Sequence, residues 1–347
     1  MNQRWVVRVV RVFSLALIAC GWLGGASAQA QELKFAELGA LKLESGETLK
    51  DCRMGYRTTG KLNDAKDNAV LILTWFNGKS HDLESFVGSA KLIDPGKYFA
   101  VMIDALGNGV STSPSNSPTQ GNEKFPRITM RDIVDAEYLL ATKELQLAHV
   151  HAVMGISMGG MQTFQWVASY PAFMDVAIPI VGTPQQSSYD LLQWGIQEES
   201  ILYHIKNGDV EHAEDMAMRM GLMQMTTPER VATEVSRAGM EKYRDDMVDS
   251  WTKDTKTYDY LCQLRAIIGI NTPGGTNTPE DAGKAAKAQM LIIVAKQDHT
   301  VNPLPAMAFA KGAHTTPLVL EGMSGHWSTI CEEAAMTKAV RQFLKEE

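Results

Sequence analysis

The chain has no internal repeat, no low-complexity tract and no heptad pattern, which excludes solenoid, collagen-like and coiled-coil architectures. It has no glycine-rich phosphate loop and no dinucleotide fingerprint, so nothing in it points to nucleotide chemistry. Its histidines and cysteines form no cluster at metal-ligand spacing, so no metal or other cofactor is expected. Basic charge is also short: 33 Lys and Arg stand against 40 Asp and Glu, a net charge of −7. An acidic chain of this kind is a poor nucleic-acid binder. What remains is an ordinary globular balance, 45% hydrophobic and 21% charged over 347 residues. That length suits two average domains, or one α/β domain with an insertion.

The N-terminus reads as a leader. Arg4, Arg8 and Arg11 come without any acid, an apolar run follows from Phe13 to Gly25, and small-x-small patterns follow at Ala26–Ala28 and Ala28–Ala30. Basic, apolar, then small is the layout of a secretory signal peptide. The apolar run falls short of the roughly 20 residues that span a bilayer, so an uncleaved anchor is the weaker reading and no stable membrane span is expected. Leu17-Ile18-Ala19-Cys20 offers a lipoprotein variant with Cys20 acylated, but the apolar run continues past it to ordinary cleavage sites. Cleavage near Ala28 or Ala30 predicts a periplasmic or secreted protein. Loss of residues 1–30 moves the formal charge from −7 to −10. Cys52, Cys262 and Cys331 then remain, which allows one disulfide and a spare thiol or three buried thiols.

Beyond the leader, β-like stretches at 32–43 and 51–58 precede a strand–helix alternation. The continuous apolar runs 69–75 and 98–104 suit strands buried on both faces, as in parallel sheets. Residues 129–146 read as an amphipathic helix, 149–154 as a strand and 158–170 as a helix stopped before Pro171. Strands are expected again at 175–181, 290–295 and 317–320, with a last helix over 329–345. This alternation predicts an α/β protein with a mainly parallel central sheet flanked by helices. Between 185 and 285 no buried strand is evident and the pattern is helical. The expected division is therefore a core of 31–184 and 286–347 with a helical cap at 185–285. Met216, Met220 and Met223 share one helix face there, which suits core packing or the pliable wall of an acyl pocket.

Gly155-Ile156-Ser157-Met158-Gly159 is a G-x-S-x-G motif lying between the strand at 149–154 and a helix. A nucleophile elbow needs that placement: a sharp strand-to-helix turn pushes the serine outward, and glycines stand where side chains would clash. A serine hydroxyl is a weak nucleophile and needs a base that is itself oriented by a carboxylate. After an elbow serine the chain order is acid, then histidine. Asp298 follows the strand at 290–295, and His326 lies between the strand at 317–320 and the last helix. Ser157, Asp298 and His326 are thus the expected catalytic triad. The oxyanion hole is expected from the Met158 N–H and a second N–H in Trp75–His81, with Phe76 ahead of Asn77. Such donors are commonly worth about 3 kcal/mol each. Asp104 also ends a strand but suits a loop anchor better than a triad acid. His149 and His151 suit packing or surface roles.

At these residues the chain resembles the homoserine O-acetyltransferase family and its esterase relatives, within the α/β-hydrolase superfamily. The resemblance is carried by Tyr56-Arg57-Thr58-Thr59-Gly60, by Asn68–Leu71 running into Gly78-Lys79-Ser80-His81, and by Phe125–Asp132. It is closest at Gly155–Gln162, and it resumes at Tyr258–Leu261, Arg265-Ala266, Asp298 and Gly325-His326. It implies the α/β-hydrolase fold and puts the family's nucleophile, acid and base on Ser157, Asp298 and His326. Two departures bear on substrate. Glu198 stands where the transferases carry an arginine for the homoserine carboxylate, and the stretch Gly107–Pro114 is altered. Export also separates the protein from cytoplasmic acyl-CoA. The expected activity is hydrolysis of small or medium acyl esters through an acyl-enzyme. O-acyl transfer and a non-catalytic binding protein of the same fold are the rival readings. The expected partner is a small-molecule ester, with monomer and homodimer both open.

Overall fold

The computed structural model describes residues 31–345 except 212 and 276, so the expected leader lies outside the described residues. Its nine strands form one sheet: β1 (Lys34–Lys42), β2 (Thr48–Thr59), β3 (Ala69–Leu73), β4 (Phe99–Ile103), β5 (Val150–Ile156), β6 (Met174–Ile180), β7 (Gln289–Met290), β8 (Ile293–Ala295) and β9 (Leu318–Leu320). The order is β1-β2-β4-β3-β5-β6-β8-β9, with β7 also on β6. β1 and β2 form an antiparallel edge, and from β4 onward every pair is parallel.

The unbroken apolar runs have a direct cause. Alternate residues of a strand face opposite sides of the sheet, and here both sides are covered. Leu71, Leu73, Val101, Ile103, Val153 and Ala177 enter one core, and Val70, Ile72, Ala100, Met102, Ala152 and Met154 enter the other. The covering helices include α1 (Met130–Leu139), capped by a Thr129–Asp132 capping box, and α2 (Met158–Ser169).

Between β6 and β7, only helices and connecting segments occur among the described residues: α3 (Ser188–Lys206), α4 (Ala213–Met225), α5 (Pro228–Glu234), α6 (Met240–Thr252), α7 (Thr257–Ile268) and α8 (Pro279–Lys284). We call this run the helical insert. Its last member, α8, packs on α9 (Leu304–Gly312). A Cβ on Gly283 would lie 2.2 Å from the Phe309 carbonyl oxygen, so the approach needs glycine.

Five expectations are corrected. The helix expected over 129–146 gives way after Leu139 to a π turn at Leu140–Glu144. The strand expected at 290–295 is split into β7 and β8, and the last helix is divided into α10 (Ser328–Cys331) and α11 (Glu333–Phe343). The methionine face of α4 points outward, with Met216 46% and Met223 78% exposed. The inward face of α4 is Ala213, Ala217, Met218 and Leu222, all buried. Finally, all three cysteines are free: Cys52 is buried and Cys331 exposed. Among the described residues there is therefore no disulfide, and the three thiols are not all buried.

Candidate active site

Ser157 sits between β5 and α2 with φ 59° and ψ −118°, a conformation that costs on the order of 1–3 kcal/mol for a side-chain-bearing residue. Its surroundings hold it there. The Ser157 N–H donates to the Ile180 carbonyl at 2.8 Å, and the Met161 N–H donates to the Ser157 carbonyl at 3.0 Å. The flanking glycines are needed for space. A Cβ on Gly155 would lie 2.4 Å from the Gly159 carbonyl carbon, and one on Gly159 would lie 2.4 Å from the Leu73 oxygen.

Asp298 and His326 come to this serine from the loops after β8 and β9. The His326 Nδ1 lies 2.6 Å from Asp298 Oδ2, and its Nε2 lies 2.9 Å from Ser157 Oγ. The carboxylate fixes the proton on Nδ1 and leaves Nε2 to accept the serine hydroxyl. The other carboxylate oxygen, Oδ1, accepts the Thr300 and Val301 N–H groups at 2.8 and 2.9 Å. Both Asp298 and His326 are buried, at 6% exposure each. In so enclosed a site the two hydrogen bonds of the Asp298–His326–Ser157 series are shielded from competing water.

The two expected oxyanion donors stand at the same end of the sheet. Met158 is the first residue of α2, where an N–H has no intrahelical acceptor. Phe76 lies in a turn after β3, closed by the Gly78 N–H donating to the Trp75 carbonyl at 2.9 Å. Asn77, the other candidate donor, has its N–H taken by Gln263 Oε1 at 2.9 Å. That leaves Phe76. Asp104 is fully buried in the loop after β4. Its Oδ1 accepts the Ser80 N–H and an Asn108 Nδ2–H, and Asn108 also donates to the Gly78 carbonyl. Asp104 thus anchors the oxyanion loop and stands outside the triad. His149 is paired with Asp175 at 3.0 Å, and the His151 ring stacks on Tyr98.

What sequence reasoning missed is how the helical insert grips these loops. From α3, Gln193 donates to the Thr300 carbonyl at 2.8 Å, and Asp190 accepts the Asn302 N–H at 3.1 Å. At the start of α5, the Thr227 hydroxyl donates to the Met323 carbonyl at 2.7 Å, and Arg230 donates to Ser324 Oγ and, at 3.1 Å, to Cys331 Sγ. The Phe76 ring packs against Trp194 and Tyr260. Glu198 is paired with Arg265, Oε1 to Nε 2.7 Å. Among the described residues no three or more His, Cys, Asp or Glu converge as they would on a metal ion. No described helix is long and apolar enough to cross a membrane.

A parallel sheet whose strand ends deliver a strained serine, a carboxylate and an imidazole in hydrogen-bonded series is the arrangement of the α/β hydrolases. The chain belongs to that family: residues 68–331 match the one described as alpha/beta hydrolase fold. Both kinds of relative suggested by the sequence resemblance are found. A probable esterase of Corynebacterium glutamicum is 37% identical over 160 residues, 45% of this chain and 46% of that protein. An ethyl acetate hydrolase of Pseudomonas veronii is 34% identical over 47% of this chain and 48% of its own. A homoserine O-acetyltransferase of Methanobrevibacter ruminantium is 31% identical over 65% and 51%. The chain spans about half the length of the curated relatives it matches. Among solved structures, the acetyl esterase MekB shares the fold at TM-score 0.82 and 23% identity, over 91% of this chain and 96% of its own.

Proposed function

We propose that the protein is an exported, serine-dependent carboxylic ester hydrolase acting on small or medium acyl esters. The observation that carries this is the unbroken series Asp298–His326–Ser157 on a strained elbow. As Ser157 Oγ bonds to the ester carbonyl carbon, His326 Nε2 takes its proton, and Asp298 stabilises the imidazolium. The carbonyl oxygen takes up negative charge facing the Met158 and Phe76 N–H groups. Collapse breaks the bond to the alcohol oxygen, which leaves with the proton from His326. Water then attacks the acyl-enzyme, His326 takes the water proton, and the carboxylic acid departs as Ser157 regains its hydrogen.

The same acyl-enzyme could pass its acyl group to an alcohol, which is the transferase alternative. Hydrolysis is favoured by Glu198. At the place where the transferases carry an arginine, this chain has a carboxylate already paired with Arg265, which offers nothing to an acceptor's carboxylate. Esterase names among the relatives support the same choice. Export is supported by the basic, apolar and small order of residues 1–30.

The test is hydrolysis of p-nitrophenyl acetate, butyrate and octanoate by periplasmic extract and by purified protein, without and with coenzyme A. Turnover in the periplasmic fraction that needs no coenzyme A is expected, falling as the acyl chain lengthens. Strict dependence on an acyl-CoA, or activity confined to the cytoplasmic fraction, contradicts the proposal.

A further inference from the structure

We propose that Gln263 is a positioning residue for the oxyanion hole, holding the Phe76 donor in place from the helical insert. This rests on the hydrolase reading above and assigns one of its parts to a residue outside the triad. Gln263 lies on α7 and is wholly buried. Its Oε1 accepts the Asn77 N–H at 2.9 Å, and its Nε2 donates to the Leu106 carbonyl at 3.0 Å. One partner can only donate and the other can only accept, so the amide has a single orientation. Gln263 thus ties together the loops that follow β3 and β4, the two strands beside the nucleophile strand in that half of the sheet.

The turn itself explains why that bond matters. Residues 75–78 close through Gly78 N–H to Trp75 carbonyl, and Asn77, its third residue, has φ 57°. Positive φ at that place belongs to turns whose central peptide is flipped relative to the commonest type, and outside glycine it is an uncommon choice. The central peptide joins Phe76 to Asn77. Gln263 captures its N–H, so the peptide is held in one of its two orientations, and with it ψ of Phe76 and φ of Asn77. Without that acceptor the peptide is free to turn over, and the rotation is taken up at ψ of Phe76 and φ of Asn77, directly beside the peptide whose N–H faces the oxyanion. The opposite wall is shaped for the same side chain. Gly107, with φ 83°, leaves only 3.1 Å between the place of a Cβ and Gln263 Cγ. Asp104 and Asn108 pin Ser80 and Gly78 further along the loop, so the peptide at 76–77 is the part that depends on Gln263.

The test uses the full chain as wild type, Gln263→Met and Gln263→Asn. Methionine matches the length without the amide. Asparagine keeps the amide but is too short to reach both loops, and it serves if the methionine variant does not fold. Three quantities are read: the thermal midpoint, kcat and KM for p-nitrophenyl acetate, and the rate at which a fluorophosphonate labels Ser157. Labelling develops charge on a phosphoryl oxygen in the same hole and needs no ester. A folded variant is expected to lose roughly 10- to 100-fold in kcat and in labelling rate, with KM moving less than about threefold. A folded variant with kcat and labelling at wild-type level, or with its loss confined to KM, overturns the assignment. If wild type labels but does not hydrolyse, the ester reading falls and the labelling comparison still decides Gln263. If wild type does neither, both fall.

Discussion

Glu137 on α1 has its carboxyl fully enclosed, with Oε2 accepting the Trp166 indole N–H at 2.7 Å. Burial pushes its pKa up to about 8, only partly opposed by that hydrogen bond. The folded protein therefore keeps a proton that the unfolded chain releases above about pH 4.5. Stability from this group is full below that value and declines as pH rises towards 8, with a slope of at most about 1.4 kcal/mol per unit. Glu137→Gln keeps an acceptor for Trp166 and removes the titration. Thermal midpoints at pH 5 and pH 8 should show wild type losing ground to the variant at the higher pH. Parallel pH profiles for the two proteins would contradict this. The residue was not singled out from the sequence, because a glutamate in an amphipathic helix ordinarily faces water. Its partner, Trp166, lies on another helix, 29 residues along the chain.

Among the elements, the helical insert bears most directly on the catalytic loops. Buried side chains from α3, α5 and α7 reach the acid loop, the histidine loop and the oxyanion loop in turn. Arg230 illustrates the coupling, since it bonds to Ser324, two residues before His326, the proposed base. Arg230→Met should lower kcat by about tenfold through a loosened His326 loop. Steady-state kinetics on a variant shown to be folded would check this, and an unchanged kcat would remove the coupling. The convergence of Ser157, Asp298 and His326 could be read from the sequence because each follows a strand end and the order is fixed by the fold. The tethers could not. Gln263 bonds to backbone groups 186 and 157 residues away, and no spacing rule links a helix residue to a distant carbonyl. The methionine face of α4 misled for a related reason. Periodicity groups residues onto one face but does not say which face turns inward, and here it is the one with Ala217, Met218 and Leu222.

At the scale of the molecule, the sheet supplies a floor whose loops bring Ser157, Asp298 and His326 together at one end. The sheet was legible wherever strands are buried on both faces, as at Ala69–Leu73. It was less so at β7 and β8, where a single apolar run is interrupted although both pieces pair with β6. On that one strand Ala177 pairs with Met290 and Ile180 with Ile293. The central claim is that Ser157 is the nucleophile of this assembly. The most direct measurement is p-nitrophenyl acetate hydrolysis by purified wild type beside Ser157→Ala, both shown to be folded. The account predicts turnover by wild type and a fall in kcat of roughly 10⁴- to 10⁶-fold in the variant, as loss of a triad member entails. A folded Ser157→Ala protein hydrolysing at the wild-type rate would contradict it.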